Sequence, residues 1–117
     1  MIWTVFLVAL GGAIGSVLRY ATVFAVTAPL ATFIVNVVGS FVMGALFVGL
    51  ASRPHLSPFL LTGVLGGFTT FSAFSLDTLK LWQSGATLAA FGYTLGTVCL
   101  SLTAAALGAA LARGALA

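Results

Sequence analysis

The sequence predicts an all-α integral membrane protein with four transmembrane helices, and three observations carry that reading. Of 117 residues, 62% are hydrophobic and only 4% charged, whereas soluble domains carry about 25% charged residues. The charged side chains, Arg19, Arg53, Asp77, Lys80 and Arg113, leave apolar stretches between them long enough for helices of about 20 residues, the length that crosses a bilayer. The third observation is an anomaly. Gly66-Gly67-Phe68-Thr69-Thr70-Phe71-Ser72-Ala73-Phe74-Ser75 places paired glycines and four hydroxyls where a membrane helix ordinarily shows Leu, Val and Ala. Ser and Thr side chains compete for backbone hydrogen bonds, so a break in the third helix is expected near 66–70, at mid-membrane. Irregular backbone survives in a bilayer only where it is buried in protein or lines a cavity, which points to a conduction or binding site.

The expected spans are about 2–25, 30–50, 59–81 and 86–112, forming one four-helix domain over 1–117. The first begins at Ile2, and Met1-Ile2-Trp3 lacks the basic start of a cleaved signal peptide, so this span is expected to remain in the mature protein. Gly11 and Gly15 form a GxxxG pair that lets helix backbones approach closely in lipid. Arg19 follows near the end of the span. Its long side chain either reaches the interface or gives an aqueous vestibule a positive potential that concentrates anions.

Pro29 separates the first two spans. Asn36 follows with Gly39, Ser40 and Gly44 at helical spacing. An amide facing lipid is unfavourable, so Asn36 is expected to face another helix or water, while Ser40 and Gly44 read as packing positions. Ala51 to Pro58 is the one evident loop, bounded by prolines, and His55 in it reads as solvated.

The third span ends on Asp77, Lys80 and Trp82. Asp77 and Lys80 are spaced for a helical ion pair, and Trp82 suits the interfacial aromatic belt. Asp77 is the only acid in the chain. Paired-carboxylate hydrolysis, carboxylate metal cages and multi-acid proton relays therefore lack their second member, and no enzyme is expected. In the fourth span Tyr93, Thr97 and Ser101, four residues apart, line three hydroxyls along one face. Gly92 and Gly96 form a second GxxxG pair for packing. Cys99 is alone and reads as an inert thiol. Four scattered cations make no basic patch for nucleic acid.

Topology is balanced. Arg53 and Arg113 belong to one face of the membrane and Arg19 and Lys80 to the other, and the Lys/Arg bias of short loops sets orientation. A tie predicts insertion both ways up, with two inverted copies able to pair as an antiparallel homodimer, in the manner of inverted transporter repeats.

The polar inventory inside the membrane is Asn36, Thr69, Thr70, Ser72, Ser75, Tyr93, Thr97 and Ser101, all neutral and all able to donate. Donors without acidic acceptors suit a small anion that must exchange its water for hydrogen bonds from the wall. Phe68, Phe71 and Phe74 add a stripe whose electropositive ring edges can face an anion, although such stripes are more often core packing. Carbonyls released around Gly66 to Thr69 offer a site of opposite sign, of the kind that coordinates Na⁺ at broken helices.

Three ordered motifs, Gly11-Gly12-x-x-Gly15-x-x-x-Arg19-Tyr20, then Asn36 with Gly39-Ser40-Phe41 and Gly44, then Gly66 to Ser75, make the chain resemble the Fluc (CrcB) fluoride channels over essentially its whole length. The resemblance implies a dual-topology homodimer in the prokaryotic cytoplasmic (inner) membrane, with two fluoride pores and a central structural Na⁺. Carried over by position, it implies Asn36 as the pore amide, Phe71 and Phe74 as aromatic boxes, and Tyr93, Thr97 and Ser101 as the hydroxyl track, with Thr70, Ser72 and Ser75 beside them. Arg19 would stand at the vestibule, and backbone carbonyls of Gly66 and Thr69 would hold sodium. The chain departs from the family pattern at Ala73, commonly Thr, and at Asp77, commonly Glu. The rival readings are a small proton-coupled multidrug exporter, which needs a membrane-embedded acid, and a non-conducting packing subunit of a membrane complex.

Overall fold

The computed structural model describes all 117 residues. It is all-helical, with helices α1 (Ile2–Val26), α2 (Leu30–Gly49), α3 (Gly66–Phe68), α4 (Phe71–Gln83) and α5 (Thr87–Leu116). Four stretches are long and apolar enough to cross a membrane, with mean hydropathy of 1.5 to 2.1 over their most apolar windows: Ile2–Val26, Leu30–Gly49, Pro54–Gln83 and Thr87–Leu116. The protein is therefore an integral membrane protein. The fourth helix runs past the expected end at Ala112, carrying Arg113 on its last turn.

Glycine decides how the spans meet. Gly11 and Gly15 of α1 pack against the backbone of the third span at Phe59 and Val64, and Gly67 approaches Gly12 so closely that a Cβ there would lie 2.6 Å from its carbonyl oxygen. Gly44 of α2 meets the Ala105 carbonyl of α5, and Gly108 of α5 meets the Phe41 carbonyl of α2. Backbone contact of this kind replaces the hydrophobic drive that lipid removes. The second GxxxG pair behaves differently. Gly92 and Gly96 have nothing within 4 Å of a built Cβ, so the packing expected there is not made within the chain.

The third span is bent. It runs through a 3-10 turn (Pro54–Leu56), a π-helical segment (Pro58–Leu65) and the single turn α3 before α4 begins. Its backbone leaves the helical region at Thr69 (φ −80°, ψ 156°) and Thr70 (φ −154°, ψ 119°). The departure lies within the expected 66–70 window, as a bend rather than a break, and on the two threonines rather than on the glycines. Gly66 keeps helical dihedrals (φ −62°, ψ −35°), and Gly67 is used for close approach to α1. Only 18 of 117 residues are buried, so most apolar side chains face surroundings other than this chain.

Candidate membrane cleft

The two extended residues are held by an amide from another helix. Asn36 Nδ2 donates to the Thr70 carbonyl at 2.9 Å, and Asn36 Oδ1 accepts from the Thr70 N–H at 2.8 Å. One side chain thus substitutes for both halves of a helical hydrogen-bond step, which the bend cannot supply. The Thr70 hydroxyl then caps α4 by accepting from the Ala73 N–H at 3.1 Å, the ordinary role of Thr at a helix start. Two consequences follow. The Thr70 amide is diverted from the Gly66 carbonyl and the Ala73 amide from the Thr69 carbonyl, so both acceptors lose their normal partner four residues on.

Beside this clamp lies a cleft of about 320 Å³ lined by Asn36, Ser40, Thr69, Thr70, Phe71, Phe74, Thr97, Val98, Ser101 and Leu102. α2, the bend, α4 and α5 each contribute to its wall. Thr97 Oγ1 and Ser101 Oγ are buried and have no hydrogen-bond partner. That is unusual, because a buried hydroxyl left unpaired costs about 1–3 kcal/mol. Thr94 and Thr103 on the same helix bond back to the carbonyls of Ala90 (2.8 Å) and Cys99 (2.7 Å). The lone hydroxyls are therefore a property of the cleft face, not of α5 as a whole.

The other expected site residues divide. Phe74 is buried at 6% exposure, and its ring meets that of Phe71 edge-on with centroids 5.4 Å apart. Phe71 is 76% exposed, so its outer surface faces away from this chain. Ser75 Oγ bonds back to the Phe71 carbonyl at 3.0 Å, and Ser72 Oγ lies 3.3 Å from Thr70 Oγ1. Neither serine lines the cleft. Tyr93 also departs from the expected hydroxyl row: its hydroxyl donates to Asp77 Oδ2 at 3.3 Å, and its ring packs on Phe74 at 5.3 Å. Asp77 is buried and finds Tyr93 on α5 rather than the Lys80 expected from spacing. Phe68 lies against the Gly39 position of α2 and is not among the residues that line the cleft. Arg19 lines a second cleft of about 310 Å³ with Ser16, Tyr20, Val23, Thr32, Val35, Thr70 and Ala73. Thr70 is common to both clefts.

One residue of the main cleft, Ser40, reads from sequence as packing alone. It stands one turn from Asn36, and that spacing is the signal that places it on the cleft face. Thr69 lines the cleft while its hydroxyl is spent on the Leu65 carbonyl at 2.9 Å. No three His, Cys, Asp or Glu side chains come together.

The family profile described as CrcB-like protein, Camphor Resistance (CrcB), matches residues 6–109. The chain belongs to the CrcB family. Among relatives of this CrcB protein, one from Paracoccus denitrificans (strain Pd 1222) is 52% identical over 92% of each chain and is named fluoride-specific ion channel FluC. A relative of the same name from Cereibacter sphaeroides is 49% identical over 97% of this chain and 98% of its own. Another of that name, from Flavobacterium psychrophilum, is 43% identical over 94% of this chain and 97% of its own. The CrcB relatives are named as channels, and this chain is not an enzyme.

Proposed function

We propose that the protein is a passive, fluoride-selective channel of the prokaryotic cytoplasmic membrane, which relieves the cell of cytoplasmic fluoride. The observation that carries this reading is the pair of buried, unpartnered hydroxyls, Thr97 and Ser101, in a cleft with Asn36 and no acid. A small anion that has shed its water needs donors, and hydroxyls that bond to nothing else supply them without reorganisation. Phe74 closes the apolar side of the cleft. Its ring edge, carrying partial positive charge, adds a weak donor where a carbonyl would repel the ion. The second hydrogen of the Asn36 amide remains for the ion while the first holds the bend. Arg19 draws anions toward Thr70, the residue shared by the two clefts. The relatives' name, fluoride-specific ion channel, supplies the identity of the ion.

The working unit of this reading is an antiparallel homodimer with two pores. Balanced Lys/Arg placement favours insertion in both orientations, and an inverted copy would cover exposed Phe71 and complete an aromatic wall on the far side of each cleft. Sodium is the proposed central ion. It would be held by the Gly66 and Thr69 carbonyls of both copies, which fit the task because their helical amides are engaged elsewhere. Its role would be to neutralise acceptors that meet at the interface.

The test is passive efflux from proteoliposomes loaded with fluoride or chloride, with countercharge compensated. Rapid fluoride release with chloride retained is expected, and equal leakage of both ions contradicts selectivity. The exporter reading would require uptake of a cationic drug driven by a proton gradient and lost in Asp77→Asn. A packing subunit would conduct nothing. Adding two lysines at one end, to force one orientation, should abolish conduction by the uniform population, and retained conduction would exclude the inverted dimer.

A further inference from the structure

At the end of the molecule away from Asp77, the last turn of α2, the loop after it, the third span and α5 enclose a cleft of about 470 Å³. Its walls include Phe47, Val48, Leu50 and Leu61, and its polar groups include Ser57 and Arg113. Arg53 stands beside it in the same loop. The only acid in the chain is Asp77, and it is bonded to Tyr93. Arg113 therefore has no carboxylate side chain to neutralise it, and it stands on the last turn of a 30-residue helix, long enough to carry its end past a hydrocarbon core of about 30 Å toward the headgroups.

We propose that this cleft binds one anionic phospholipid per chain. The Arg113 guanidinium and Ser57 hydroxyl take the phosphate, and the first methylenes of an acyl tail lie along Phe47, Val48 and Leu61. A guanidinium presents a planar fork that matches phosphate oxygens, and basic pockets between membrane helices favour anionic headgroups. The apolar walls decide the source of the phosphate. A free phosphate ion would leave Phe47 and Leu61 in contact with water, whereas a lipid covers them with its tail. The inference rests on the membrane placement of the helices and is independent of which ion the protein conducts. A protein inserted in both orientations would carry the site in both leaflets.

The experiment is native mass spectrometry of the purified full chain with phosphatidylglycerol or phosphatidylcholine at equal concentration, its fold monitored by thermal melting. Wild type is expected to retain one phosphatidylglycerol per chain in preference to phosphatidylcholine. R113Q should lower that retention about fivefold, the effect of one basic group near anionic lipid, and R53Q by less than about twofold. If R113Q does not fold, R113K serves in its place, keeping the charge without the fork and giving intermediate retention. Tail placement is read separately: with the native tryptophans removed (Trp3→Phe, Trp82→Phe), the fluorescence of Leu61→Trp should be quenched by phosphatidylglycerol brominated in its upper acyl chain. Equal retention of phosphatidylcholine, wild-type retention in both Arg113 variants, displacement of the lipid by inorganic phosphate at matched concentration, or absence of quenching would each overturn the proposal.

Discussion

Helix α5 carries two pairs of hydroxyls with opposite fates. Thr94 and Thr103 bond to carbonyls four residues back on their own helix, which is what Ser and Thr ordinarily do where no water reaches them. Thr97 and Ser101 stand between them in sequence and bond to nothing. Residue type does not distinguish the pairs, since both contain threonine, nor does distance along the helix, since both fall within residues 94–103. What differs is the neighbour: the unpartnered pair lines the cleft beside Asn36 and the bend. A hydroxyl that forgoes its own backbone marks a place where another acceptor is expected.

Substitutions break or sharpen this contrast. The largest effect is expected for Asn36→Leu, which removes both bonds to Thr70 and the remaining amide donor at once. Fluoride efflux should fall below detection, and amide hydrogen exchange at Thr70 should rise. Phe74→Ile comes next, because this ring is buried between Phe71 and Tyr93. Loss of a large buried aromatic with little loss of volume should reduce flux about tenfold while melting temperature shifts only a few degrees. Phe71→Ile should leave melting of the isolated chain almost unchanged, since the ring is 76% exposed, yet lower flux in the membrane. Unaltered flux would remove that ring from the ion path. The smallest effect is expected for the back-bonded pair: Thr94→Val with Thr103→Val should hold efflux within about twofold, a surface-scale change.

Much of this was legible in the residues, and the misplaced parts share a cause. Four spans follow from charge spacing, because a bilayer forbids irregular backbone exposed to lipid. The irregularity is also legible from Gly66 to Ser75 and falls inside the expected 66–70 window, as a bend rather than a break; which residues make it is not legible. Glycine offers freedom to break, whereas Gly67 serves to bring α1 within contact distance of the third span. The departure falls instead at Thr69 and Thr70, because Asn36, distant in sequence, offers Thr70 a better partner than its own helix. Tyr93 likewise finds a partner distant in sequence. Its four-residue spacing from Thr97 puts it on the hydroxyl row, but its hydroxyl donates to Asp77 across the helix interface. The same contact took Asp77 from the Lys80 pairing that local spacing suggested. Periodicity reports which side chains share a face. It does not report which of them find a partner on the neighbouring helix.

The most direct measurement compares passive fluoride efflux from proteoliposomes containing either Thr97→Val with Ser101→Ala or Thr94→Val with Thr103→Val. Hydrogen bonds to a charged group are worth about 1.5–3 kcal/mol each. The first pair should therefore lose about a hundredfold or more in rate while remaining folded, and the second should conduct like the parent. Equal conduction by both double variants, or equal loss in both, would contradict the assignment of the cleft hydroxyls as the ion's hydrogen-bond donors.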